Sequence, residues 1–208
     1  MSSAVRLSDR RIDAIVLGAS AGGVEALTVL LPYLPQGLRA ALFIVVHLPR
    51  ERPSLLTELF VPKCALHVRE AEDKMPVEPG TVYFAPPNYH LLLDKGPQLA
   101  LSVDELVHFS RPSIDVLFQS AADIYGKRLM GIILTGANQD GTAGLAAVHR
   151  AGGVTIVQEP DTAQVPHMAA SALKQTPADY VLPLDEIGTL LKTLPSSGPQ
   201  PQPIRAAG

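Results

Sequence analysis

Short apolar runs that scarcely alternate with polar residues recur along this chain, and each is followed by a stretch with helical spacing. Ile12–Leu17, Ala41–Val46, Leu129–Leu134 and Val154–Gln158 are such runs. A strand with one wet face alternates apolar and polar residues, whereas a strand covered on both faces does not, and that burial is found in parallel sheets flanked by helices. The helical patterns fall at about Gly23–Leu34, Ser54–Phe60, Pro112–Tyr125, Thr142–Ala151, Pro166–Gln175 and Asp185–Leu194, with a last short strand at Tyr180–Leu182. Strand and helix in alternation predict βαβ units. The expected class is α/β: a doubly wound, mainly parallel sheet with helices on both faces. Between Ala65 and Ser102 the pattern breaks into short pieces, Ala65–Val68, Thr81–Ala85, Tyr89–Leu93 and Leu99–Ser102, separated by Pro-Gly, Pro-Pro-Asn and Lys-Gly-Pro turns. This stretch is expected to form an antiparallel hairpin insertion.

The chain of 208 residues is long enough for one well-buried domain. The expected organisation is a flexible N-terminus over 1–11, a single domain over 12–194 and a disordered Pro-rich tail over 195–208, which carries four prolines and no apolar period. A net charge of −3 without a Lys/Arg cluster argues against nucleic acid as a partner. Cys64 is the only cysteine, which excludes an intramolecular disulfide and a Cys-based metal cage. No apolar run reaches the ~18–20 residues that a membrane helix needs. A cytoplasmic protein without membrane insertion is expected.

Gly18-Ala19-Ser20-Ala21-Gly22 follows the first strand and precedes the first helix, the context of a G-x-S-x-G nucleophile elbow. A serine there sits at the first turn of a helix, where unpaired N–H groups and the positive dipole end can stabilise an oxyanion. Ala21 N–H is the candidate donor. A dinucleotide site uses the same unit but fits less well: Ser20 takes the place of the middle glycine, and the next strand ends at His47-Leu48-Pro49 without the acid that holds a ribose. Among six histidines, His47 directly follows an apolar strand and therefore reaches the same sheet edge as Ser20, with His167 ranked second. His67 and His149 fall within regular elements and read as structural, while His90 and His108 fall in or near the hairpin region and are candidates for a cleft rim. The base needs an orienting carboxylate. Asp140, in the Gly-bounded loop after Leu129–Leu134, is the candidate, with Asp161 as the alternative, although a loop aspartate is commonly a helix N-cap.

From Ile12 to about Leu194 the sequence resembles the catalytic domain of the chemotaxis protein-glutamate methylesterases, the CheB family. The resemblance is carried by Gly18–Gly23, Val45-Val46-His47-Leu48-Pro49, Arg69–Asp73, Val82–Pro86, Arg111–Phe118 and Gly131–Gly141, in the same order. It implies a catalytic triad of Ser20, His47 and Asp140, no metal and no cofactor. It also implies hydrolysis of glutamate γ-methyl esters on the cytoplasmic helices of chemoreceptors, with deamidation of receptor glutamines as a related activity. The family enzyme carries an N-terminal phospho-acceptor domain. Here the first catalytic strand begins near Ile12, so a stand-alone esterase domain is expected, with a separate response regulator as a candidate partner. Before the aspartate the family has Gly-Met-Gly-x-Asp, against Gly136-Ala137-Asn138-Gln139-Asp140 here. Ala137 N–H is therefore the second candidate oxyanion donor, and Asn138 in place of glycine is expected to alter the loop. Arg111, His167 and Met168 are candidate substrate contacts, the last two in a loop, Val165-Pro166-His167-Met168, that departs from the family's Phe-Gly.

Overall fold

The computed structural model describes Leu7, residues 10–48 and residues 54–196. Seven strands form one parallel sheet: β1 (Ala14–Ala19), β2 (Ala41–Val46), β3 (His67–Glu70), β4 (Thr81–Phe84), β7 (Leu129–Ile133), β8 (Val154–Gln158) and β9 (Tyr180–Leu182), in the order β3-β4-β2-β1-β7-β8-β9. β5 (His90–Asp94) and β6 (Gln98–Ser102) form a separate antiparallel hairpin. The helices are α1 (Gly23–Leu30), α2 (Leu56–Phe60), α3 (Ile114–Tyr125), α4 (Thr142–Arg150), α5 (His167–Gln175) and α6 (Leu184–Lys192). The doubly wound sheet with a hairpin is the architecture the apolar pattern predicts.

Although the central strands are apolar throughout, their side chains still alternate between two cores. Ile15, Leu17, Leu42 and Ile44 pack on one face with Leu27, Leu30, Ile187 and Leu191 of α1 and α6. Val16, Phe43 and Val45 pack on the other with Ile114, Leu117 and Phe118 of α3, Leu145 and Val148 of α4, and Met168 of α5. The chain steps outward from β1 to β2 on one side and from β7 to β9 on the other. The carboxyl ends of β1 and β7 thus flank the point where the winding reverses, which is where open α/β sheets bind ligands.

The 65–102 segment differs from expectation. His67–Glu70 and Thr81–Phe84 pair in parallel, His67 opposite Thr81, and belong to the main sheet; only β5 and β6 are antiparallel. The Pro79-Gly80 turn does not reverse the chain onto its neighbour. It ends a non-helical crossover that runs beside the hairpin, with Lys74 N–H donating to Leu99 O, Leu99 N–H to Met75 O and Val77 N–H to Pro97 O. The hairpin does for this crossover what a helix does elsewhere: it covers the face of the sheet, placing Leu91, Leu93 and Leu99 in the second core. Both outer strands are short: β3 is largely exposed and ends in Arg69 and Glu70, and β9 is half-buried and is followed by Pro183.

The first helix also stops earlier than its pattern suggests. Pro32 lacks an N–H, and residues 31–33 tighten into a 3₁₀ turn. Of the N-terminal eleven residues, Leu7 is buried in the first core and the Arg10 guanidinium donates to Gly152 O at 3.1 Å; residues 1–6 and 8–9, like 197–208 of the expected tail, lie outside the described residues. Among the described residues no helix is long and apolar enough to cross a membrane.

Helix α3 approaches β1 so closely that a Cβ on Gly18 would overlap the Ile114 side chain. Overpacking of this kind costs about 1–3 kcal/mol. Gly18→Ala is expected to lower stability by that amount, read as the midpoint of urea unfolding, and to displace the N-terminus of α3.

Candidate active site

Three strand ends assemble the site. Ser20 follows β1, His47 follows β2, and Asp140 follows β7. His47 N–H donates to Ala19 O at 3.1 Å, continuing the β1–β2 register and placing Ser20 and His47 abreast. Ser20 N–H donates to Thr135 O at 3.0 Å, and Thr135 Oγ1 donates to Ala21 O at 2.9 Å, so the serine turn is stitched to the strand that leads to Asp140. Gly22 turns the chain into α1 with φ 78°, a left-handed value that glycine adopts without strain.

Asp140 is fully buried yet charged. Its Oδ1 accepts from Ser113 Oγ–H at 2.8 Å and Asp115 N–H at 3.0 Å; its Oδ2 accepts from Ile114 N–H at 2.7 Å and His47 Nε2 at 2.9 Å. Two of these donors are free N–H groups in the first turn of α3, where the helix dipole favours an anion. Burial pushes the carboxyl up, but the hydrogen bonds from His47, Asp115 and Ile114 outweigh it and hold the group below the usual carboxylate range. The aspartate is not the N-cap of its own helix. That position is Gly141, and Asp140 instead occupies the N-terminus of α3, a different helix.

With Asp140 ionised, His47 Nε2 carries the proton it donates, leaving the Nδ1 lone pair as the basic site. Nδ1 faces Asn138 Nδ2 at 3.5 Å; that amide also lies 3.4 Å from Ser110 Oγ, while Asn138 Oδ1 accepts from Asp140 N–H at 3.2 Å. Asn138 keeps a negative φ, so its replacement of glycine leaves the backbone in an ordinary region and adds a polar side chain to the site. Of the three predicted groups, the structure joins His47 to Asp140 directly. Among the described residues it shows no hydrogen bond between the Ser20 hydroxyl and His47.

The remaining candidates divide sharply. Ala21 and Ala137 are exposed, and among the described residues their N–H groups donate no hydrogen bond. Arg111 is spent on bracing: it donates to Asn88 Oδ1 from Nε and Nη2 at 3.2 and 2.8 Å, and to Val103 O and Asp104 O from Nη1 at 2.6 and 2.9 Å. Met168 is fully buried against Gly136, with Sδ 2.7 Å from where a Cβ would stand, and so belongs to the core rather than to a substrate surface. His167 is exposed at the start of α5, beside this contact. His90 is not on a rim but buried, its Nδ1 accepting from Ser113 N–H at 3.1 Å and its Nε2 donating to Glu105 O at 2.9 Å. His108 pairs with the buried Asp115 at 3.3 Å; burial first, and then the charge of Asp140, push the Asp115 carboxyl up. Asp161 lies in an exposed 3₁₀ turn after β8. Sequence reasoning missed Ser113. A serine after a proline and before a helix signals an N-cap, but its hydroxyl makes no cap bond and turns to Asp140 instead.

Residues 15–191 match the family model described as CheB methylesterase. The chain belongs to the CheB methylesterase family. It is similar to a putative protein-glutamate methylesterase/protein-glutamine glutaminase of Leptospira interrogans, 44% identical over 178 residues that cover 86% of this chain and 92% of that protein. A protein-glutamate methylesterase/protein-glutamine glutaminase of Methanosarcina acetivorans is 37% identical over 181 residues, which cover 83% of this chain and 51% of the relative. Among solved structures, the CheB methylesterase catalytic domain of Thermotoga maritima superposes with a TM-score of 0.83 at 34% identity, over 88% of this chain and 99% of the other.

Because Asp140 is more acidic folded than unfolded, the unfolded chain binds the extra proton, and stability falls as pH drops through the lowered folded value. Asp140→Asn removes that dependence and leaves the Ile114 and Asp115 N–H groups facing a neutral amide. Urea unfolding is expected to show a loss of about 1–3 kcal/mol at neutral pH, the cost of buried donors left without a matching acceptor. That deficit should narrow on acidification, as the pH falls below the ordinary carboxylate range and the wild-type carboxylate becomes protonated.

Proposed function

We propose that this chain is a protein-glutamate methylesterase acting through Ser20, His47 and Asp140. The observation that carries the reading is the buried, charge-assisted His47–Asp140 hydrogen bond at the sheet edge where Ser20 emerges. In this reading Ser20 Oγ attacks the ester carbonyl of a glutamyl γ-methyl ester while His47 Nδ1 takes its proton. Asp140 stabilises the imidazolium through Nε2 and holds the ring in place. The oxyanion is met by Ala21 N–H and Ala137 N–H, which have no partner among the described residues. The protonated imidazole returns the proton to methoxide, methanol leaves, and water activated by His47 hydrolyses the glutamyl ester of Ser20. A glutamine side chain would follow the same course with ammonia as the leaving group. It would react more slowly, because an amide nitrogen needs protonation in order to leave.

The relatives' names specify protein-bound glutamate and glutamine, and the family resemblance points to the cytoplasmic helices of chemoreceptors as the substrate. A separate response regulator is the proposed partner for control. No cofactor or metal enters the scheme. The open Ser20–His47 contact favours one competing reading, a receptor-binding module that has lost turnover. Unliganded sites, however, often close this hydrogen bond only when substrate binds.

Two measurements separate the readings. Ser20→Ala should reduce methanol release from a methylated receptor fragment at least about a thousandfold, and His47→Gln comparably. A serine-directed phosphonate should label wild-type protein at Ser20. Near-wild-type methanol release by the Ser20→Ala protein, or failure of the phosphonate to react, would sink the triad.

A further inference from the structure

Between the hairpin and α3, residues 103–110 form a loop that displays apolar side chains instead of burying them. Phe109 is 91% exposed, Val103 65% and Leu106 42%. The tip is a tight turn in which Val107 and Ser110 exchange backbone hydrogen bonds at 3.1 and 2.8 Å. Its two central residues, His108 and Phe109, have φ of 48° and 61°. Two consecutive left-handed residues are the mark of a type I′ turn, which favours Asn-Gly because bulky side chains are strained there. A phenylalanine at the second position is unfavourable in its backbone.

The fold holds this unfavourable tip firmly. Arg111 binds the carbonyls of Val103 and Asp104, buried His90 donates to Glu105 O, and His108 pairs with Asp115. Two of these anchors converge on the 113–115 segment that also grips Asp140: His90 accepts from Ser113 N–H, and Asp115 N–H donates to Asp140. Phe109, Ser110, Arg111 and Pro112 line one small cleft together with His47 and Leu48. The apolar tip therefore stands beside the imidazole at a fixed height. A protein that presents a side chain to the His47 imidazole passes close to this tip.

We propose that the 103–110 loop is the docking element for the protein substrate, with Phe109 and Leu106 packed against apolar side chains of the protein that carries the glutamyl ester. This rests on the methylesterase reading, which supplies a protein as substrate. Rigid aromatic anchors dominate interfaces because they bury much area and lose little freedom on binding. A strained, pre-set Phe109 has both properties. The loop thus supplies binding to the protein around the ester, and the triad performs the same chemistry on whatever ester the loop positions.

The experiment measures binding of the Ser20→Ala protein to a purified, methylated cytoplasmic helical fragment of a chemoreceptor. In that background Phe109→Gly and Leu106→Ser should each raise Kd at least tenfold, whereas Phe109→Leu should remain within threefold. Glycine at φ 61° relieves the turn, so Phe109→Gly should melt no lower than its parent, which separates lost docking from lost folding. A Kd within twofold of the parent for Phe109→Gly, or no binding by the parent itself, would overturn the proposal. Hydrolysis of a small soluble glutamate γ-methyl ester by the wild-type protein reports independently on the triad, so a failure there overturns the methylesterase reading and not the docking of Phe109.

Discussion

The Asp140 carboxylate at the N-terminus of α3 is the interaction on which the site's geometry rests. A buried anion is tolerated only when its desolvation is offset by several donors, and here the donors are Ser113, Ile114, Asp115 and His47. Three of them belong to one helix start, which is itself fixed by close approach to Gly18 on β1 and by Gly144 N–H bonding Asp115 Oδ1 at 2.6 Å. The charge therefore locks the α3 terminus, the β7 loop and the β2 end into one arrangement. His47 is oriented as a consequence of a structural ion site rather than by a contact added for catalysis alone.

Much of this was legible in the sequence. Apolar strands with helical intervals predicted the sheet, and the strand ends at Ser20, His47 and Asp140 predicted the edge where those residues meet. What escaped was decided by long-range partners. The 65–102 pieces carry turn residues at the right places for hairpins, yet β3 and β4 are parallel because the crossover between them packs on β6. Arg111, His90 and Met168 are residue types common in binding sites, and nothing local reveals that their donors, acceptors or surfaces are already committed within the fold. Asn138 was legible as a departure. That its side chain faces the imidazole is decided by how the β7 loop packs against the end of β2.

Asn138 also shows how a loop can change without losing the chemistry around it. Its carboxamide closes a local turn with Asp140 N–H and reaches toward both His47 and Ser110. The polar surroundings of the imidazole thus come from two loops, one after β7 and one before α3, and both lead to the same buried carboxylate.

The ends of the sheet bear on how such a protein meets its neighbours. An open parallel sheet presents unpaired backbone at its two outermost strands, a template on which foreign strands can add. Here β3 has four residues and closes with a charged pair, and β9 has three and runs into Pro183. Neither offers a long flat ribbon for another chain to extend. Association through shared strands is thereby discouraged, and recognition is left to the loops at the carboxyl ends, where contacts form and release without remaking a sheet.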